Sequence, residues 1–162
     1  MGGREELVGA LVAEMPSFIS TVVRFQVAVA HQLDMPVTDV HALGALLEAG
    51  PLGVSELAEL MGMTTGAITR LVDRLEGGGY VRRERDSEDR RRVVLHAVPE
   101  RVADVARYYE AMDVRWRQQV DRYSEDQLRF LLDFFRQERE HTQAETMKLR
   151  AGGRAHGTRR RR

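Results

Sequence analysis

The chain has 162 residues, no cysteine, 43% hydrophobic and 31% charged residues, which fits one domain carrying extra helices and excludes disulfides, thiolate metal sites and thiol redox sensing. No run of about 18 apolar residues offers a bilayer span, and the opening Met1-Gly2-Gly3-Arg4-Glu5-Glu6 shows no secretory signal, so a cytoplasmic protein without membrane contact is expected. The net charge of zero is unevenly spread: residues 1–63 carry two Arg against eight acids, 64–96 eight Arg against six acids, 97–150 ten basic residues against eleven acids, and 151–162 five Arg and no acid; a polyanion would be met by 64–96 and by the tail.

Leu7, Leu11, Met15, Phe18, Val22, Phe25, Val29 and Leu33 recur every three or four residues, the period of a helical stripe. Pro16 is expected to kink or split this helix, and Pro36 to end it. Thr38 is expected to cap a second helix from Asp39 to about Ala49, closed by Gly50-Pro51. Ser55 is expected to cap a third with Leu57, Ala58, Leu60 and Met61 buried, ended by Gly62. Thr64 then caps a fourth, whose Ala67, Ile68, Leu71, Val72 and Leu75 form one apolar face before Gly77-Gly78-Gly79. Two helices separated only by Gly62 and Met63 predict a helix-turn-helix.

Residues 80–85 and 93–98 read as strands joined by the polar segment 86–92, a hairpin with a charged tip. Pro99 opens a helix in which Val102, Val105, Tyr109, Met112, Trp116, Gln119 and Tyr123 alternate at spacings of three and four, a seam that wants a partner helix. Ser124 and Gln127 form a capping box for a final helix with Leu128, Leu131, Leu132 and Phe135 expected to face inward. The fold expected is mainly α with a small β-hairpin wing. It divides into an N-terminal helix (1–36), a winged helix-turn-helix (37–98), C-terminal helices (99–150) and a basic disordered tail (151–162).

Three features point to DNA. Thr64, Thr65, Gly66, Thr69, Arg70 and Arg74, with Asp73, lie off the apolar face of the fourth helix. Short hydroxyl side chains near its N-terminus let it sit deep in a major groove, and Arg70 can reach guanine edges or phosphate. At the hairpin tip, Asp89, Arg90, Arg91 and Arg92 suit the narrow, negative minor groove, with Asp89 placed to hold the Arg91 guanidinium. The tail, with Arg154 and residues 159–162 all Arg, could add nonspecific phosphate attraction.

The residues Ser55-Glu56-Leu57-Ala58, the run from Thr64 to Glu76, Gly79-Tyr80-Val81-Arg82-Arg83 and Asp89-Arg90-Arg91-Arg92-Val93 together resemble the MarR (multiple antibiotic resistance regulator) family of winged-helix proteins over about residues 5–149. The resemblance implies a repressor that binds a palindromic operator on double-stranded DNA as an intertwined homodimer, often released by a small-molecule effector. It places Asp89 and Arg91 on the family's aspartate-x-arginine wing motif, and Thr65, Gly66, Thr69 and Arg70 on its base-reading positions. Val98 stands where the family often has Thr before the helix-opening proline. An effector pocket, where the resemblance implies one, would draw on Phe25, His31, Met35, His41, Tyr108, Tyr109, Met112 and Trp116, although such aromatic stripes usually pack in cores and interfaces.

Neither a cofactor nor a metal is expected: the five His are scattered without a helical pair at four-residue spacing. An enzyme is disfavoured, because the glycines at 77–79 precede a strand where a phosphate loop would precede a helix. The alternative to a specific regulator is a winged-helix module for nonspecific DNA binding or protein contacts.

Overall fold

The computed structural model describes residues 3–86, 89 and 91–157. The described residues form six helices and one antiparallel hairpin: α1 (Gly3–Gln32), α2 (Val37–Ala49), α3 (Val54–Met61), α4 (Thr65–Gly77), β1 (Val81–Arg85), β2 (Val93–Ala97), α5 (Pro99–Val120) and α6 (Glu125–Gly157). The fold is mainly helical with a two-stranded wing, and the chain divides into two compact units, Met1–Tyr108 and Tyr109–Arg162.

In the first unit, Pro16 lies inside α1 without ending it. Of the kink or split expected there, the split does not occur, because a proline removes one backbone hydrogen bond while more than a full turn of helix propagates on either side. Ser20, Thr21 and Arg24 interrupt any continuous apolar run, and the Arg24 guanidinium donates to the Ser20 and Thr21 hydroxyls. Averaged over 18 residues, α1 is nonetheless apolar and long enough to cross a membrane by length and composition.

Residues 37–98 form a head with its own core. Leu43, Leu57, Ile68, Leu71, Val72, Leu75, Val81 and Leu95 are all essentially sealed from solvent, and they come from α2, α3, α4 and both strands. The hairpin pairs Val81 with Ala97 through Arg85 with Val93. Leu52 adds a one-residue third rung, accepting from Leu95 N–H at 2.8 Å and donating back at 3.4 Å.

Local chemistry sets the element ends. Gly62, at φ 65°, supplies the left-handed residue that closes α3 and lets α4 start at once. Gly79, at φ 74°, turns the chain from α4 into β1. Two expected caps are replaced. Thr38 lies inside α2 and donates to the Asp39 carboxylate at 3.2 Å, so Pro36 flanks the helix without a side-chain cap. α3 begins at Val54, one residue before Ser55, because the Glu56 carboxylate reaches back to Gly53 N–H at 2.7 Å and satisfies that donor first.

Along α5 the alternating seam is graded: Val105 is buried, Val102, Tyr109 and Met112 are half-buried, and Trp116 is exposed, as is Tyr123 beyond the end of the helix. In the second unit, Ser124 and Gln127 make the expected reciprocal cap of α6, at 2.9 and 3.3 Å. The expectation that Leu128, Leu131, Leu132 and Phe135 face inward is not met within one chain: Leu131 is half-covered and the other three are exposed. Periodicity identifies an apolar face but not whether its cover belongs to the same polypeptide.

Candidate nucleic-acid interface

α4 is fixed by its apolar face, Ile68, Leu71, Val72 and Leu75, and the same 3.6-residue period turns Thr65, Gly66, Thr69 and Arg70 outward, where all four are exposed. Thr64 caps the helix by accepting from Ala67 N–H at 3.3 Å. The first turn holds no acid, so nothing offsets the positive end of the helix dipole, which favours phosphate. Thr69 Oγ1 donates to the Thr65 carbonyl at 2.9 Å, and Arg70 Nε to that of Gly66 at 3.4 Å.

Gly66 is informative for what it lacks. Its backbone is ordinary helix, and a Cβ built there meets no atom within 4 Å, so no internal packing calls for glycine, although alanine would favour the helix by about 0.5–1 kcal/mol. A bare backbone on an outward first turn suits close approach to another molecule.

The second half of α4 is charged and engaged within the chain. Arg74, half-exposed, places Nε 2.9 Å and Nη2 2.7 Å from the two carboxylate oxygens of buried Asp39, and that pairing raises the Arg74 pKa. Arg83 on β1 pairs with Asp73 at 2.6 Å and with Glu76. Partial burial works against the Arg83 charge, but its two carboxylate partners outweigh this and raise its pKa. Two acids on the exposed side of α4 thereby share one guanidinium, which offsets part of their negative charge. Sequence reading grouped Arg74 and Asp73 with the outward residues and missed both partners, since positions 39 and 83 carry no local signal of the pairing.

At the wing tip, Asp86 N–H donates to the Arg92 carbonyl at 3.0 Å and Arg92 N–H to that of Asp89 at 2.8 Å. Asp89 Oδ1 accepts from the Arg91 backbone N–H at 3.0 Å, so the carboxylate shapes the turn that presents Arg91 through its main chain. Arg91 is exposed; Arg90 lies outside the described residues. Arg92 pairs with Glu56 on α3 and approaches Asp86 at 3.8 Å, tying the wing base to the start of α3. The Gly53 N–H and then Arg92 hold the Glu56 carboxyl below its usual range.

Of the residues considered for an effector, Phe25 and Met35 are half-buried, while His31 and His41 are exposed, His41 Nε2 lying 3.1 Å from Gln26 Oε1. Tyr108 is half-buried with the Arg107 guanidinium 5.0 Å over its ring. In the second unit, Tyr109 and Met112 are half-buried and Trp116 is exposed; partial burial pushes the Tyr109 phenol up. A cavity of about 330 Å³ lies elsewhere, between Pro51 and the strands, lined by Glu84, Arg85, Asp86, Arg92, Val94 and His96.

Residues 35–93 match the model of the MarR family. The chain is 34% identical over 131 residues to the HTH-type transcriptional regulator YcgE of Bacillus subtilis, covering 81% of this chain and 85% of that protein. Its fold is similar to that of a MarR family protein from Bacillus stearothermophilus (TM-score 0.65, 21% identity, 86% of this chain and 98% of that one). It is also similar to S. aureus MepR, in a mutant form bound to an oligodeoxyribonucleotide (TM-score 0.54, 19% identity, 81% and 97%).

Proposed function

Because the chain belongs to the MarR family of winged helix-turn-helix transcriptional regulators, we propose that it is a repressor that binds a palindromic operator as a homodimer. One copy of α4 enters the major groove of each half-site, and each wing reaches the adjacent minor groove. The observation that carries this reading is the outward surface of the first half of α4. Thr65, Gly66, Thr69 and Arg70 are exposed, the first turn is free of acid, and Gly66 leaves the backbone bare. The MepR structure is of a protein with this fold holding an oligodeoxyribonucleotide, and supports the same use here. Such a regulator works in the cytoplasm, on the chromosome.

The homodimer is supported by the exposed apolar residues of α1 and α6, including Leu11, Phe18, Phe130 and Leu132, which a second copy would cover. Release by a small molecule is a further part of this reading, which the family likeness suggests.

Selection of duplexes from a random pool tests the reading. A palindrome with two half-sites about one helical turn apart is expected; a pool that enriches no sequence would favour a nonspecific or protein-binding winged helix. Arg70→Ala should lower the preference for the enriched duplex over random DNA by about 1–3 kcal/mol. Equal loss on both would reduce Arg70 to a phosphate contact.

A further inference from the structure

Asp39 is a charged residue inside the apolar core of the head, 1% exposed, where an unpaired carboxylate would be strongly disfavoured. Its oxygens are fully engaged: Oδ2 accepts from Arg74 Nε at 2.9 Å, and Oδ1 accepts from Arg74 Nη2 at 2.7 Å and from the Thr38 hydroxyl at 3.2 Å. The two-point fork fixes the direction of the guanidinium as well as its distance. Asp39 sits in the first turn of α2, whereas Arg74 sits one turn beyond Arg70 on α4. The bond therefore runs from the scaffold to the helix that carries the outward surface.

Apolar packing by Ile68, Leu71, Val72 and Leu75 keeps α4 on the core, but its driving force is non-directional. A directional charged fork adds an angular restraint on the helix. Resting on the proposed operator reading, we infer that Asp39 is a positioning residue for sequence recognition: acting through Arg74, it sets the rotation of α4 that aims Thr65, Thr69 and Arg70. Arg74 in turn serves recognition by holding the helix and not by touching phosphate.

The test uses the full chain, a duplex enriched from a random pool and a random-sequence duplex, each titrated over a salt series. Asp39→Asn should lower the enriched-to-random affinity ratio about tenfold, although removing a negative charge near a polyanion would by itself tighten binding to both duplexes. Arg74→Met should lower the ratio similarly while leaving the salt slope unchanged, and the double variant should lose no more than the larger single loss. An unchanged ratio in Asp39→Asn overturns the inference. So does a slope reduced by about 0.9 in Arg74→Met, the signature of one lost phosphate contact.

Arg74→Met strands the Asp39 carboxylate in the core and can unfold the chain. In that event the double variant, which removes both charges and whose helicity is checked by circular dichroism, carries the same two criteria. A wild-type chain that prefers no enriched duplex overturns the operator reading and this inference with it. A wild-type preference left intact by Asp39→Asn overturns this inference alone.

Discussion

The head, residues 37–98, and the flanking helices α1 and α6 treat their apolar side chains in opposite ways. In the head, Leu43, Leu57, Ile68, Leu71, Leu75 and Leu95 are each less than 2% exposed, so its core closes within one chain. Leu11 on α1 stands 69% exposed and Phe130 on α6 68%, with further exposed apolar residues along both helices. The head covers its large apolar side chains from within one chain, while the long helices leave most of theirs open to solvent.

The strongest challenge to this contrast is a deletion in the core. Leu71→Ala should cost about 2–5 kcal/mol in urea unfolding, at any protein concentration; a loss below about 1 kcal/mol, the scale of a surface change, would mean that the head does not close on itself. On the other side, Leu11→Asp should leave the head folded yet weaken self-association at least tenfold, about 1.4 kcal/mol, as read by sedimentation. A chain lacking 1–33 and 124–162 should be monomeric or aggregated, and a stable dimer from it would break the contrast.

The wing sharpens the comparison because polar bonds shape its tip. Asp89→Ala removes the acceptor for Arg91 N–H and should weaken operator binding by about 0.5–1.5 kcal/mol, whereas Asp89→Asn keeps a side-chain oxygen in place and should cost clearly less. Equal losses for Ala and Asn would show that the negative charge, not the turn, matters there. The smallest effect is at Glu56. Its carboxyl is held below the ordinary value of 4.5, so its contribution to stability is present above that value and disappears as pH falls through the lowered one. Glu56→Gln should make the acid decline of the unfolding midpoint slightly shallower; an unaltered profile would remove Glu56 from the account.

Features set by neighbouring residues were legible in the sequence. Thr64 before an apolar run gave the α4 cap, Gly62 the turn, and Ser124 with Gln127 the α6 cap, since each acts within a few backbone atoms. The apolar period also separated Thr65, Gly66, Thr69 and Arg70 from Ile68 and Leu71. Competition between neighbours was less legible: Ser55 is a good capping residue, yet Glu56 reaches Gly53 first. Partners far along the chain were not legible at all. Asp39 enters the sequence reading only as the first residue of the second helix, and only the packing of α2 against α4 makes it the anchor of Arg74. Asp89 is a different case: its partner Arg91 is two residues away, but the choice between that residue's guanidinium and its main-chain N–H is set by the turn geometry, and the bond goes to the main chain.

The rung between Leu52 and Leu95 bears on how the head assembles and opens. It closes a loop that contains α3, α4 and β1, and a contact between positions so distant in sequence demands a large loss of chain freedom before it returns any stabilisation. The two helices and their turn form from local contacts, so the arrival of β2 beside Leu52 belongs to the late, slow part of folding. Release of the rung frees the amide protons of Leu52 and Leu95, which therefore report opening at this edge of the head, whereas those at the ends of α1 and α6 report only fraying.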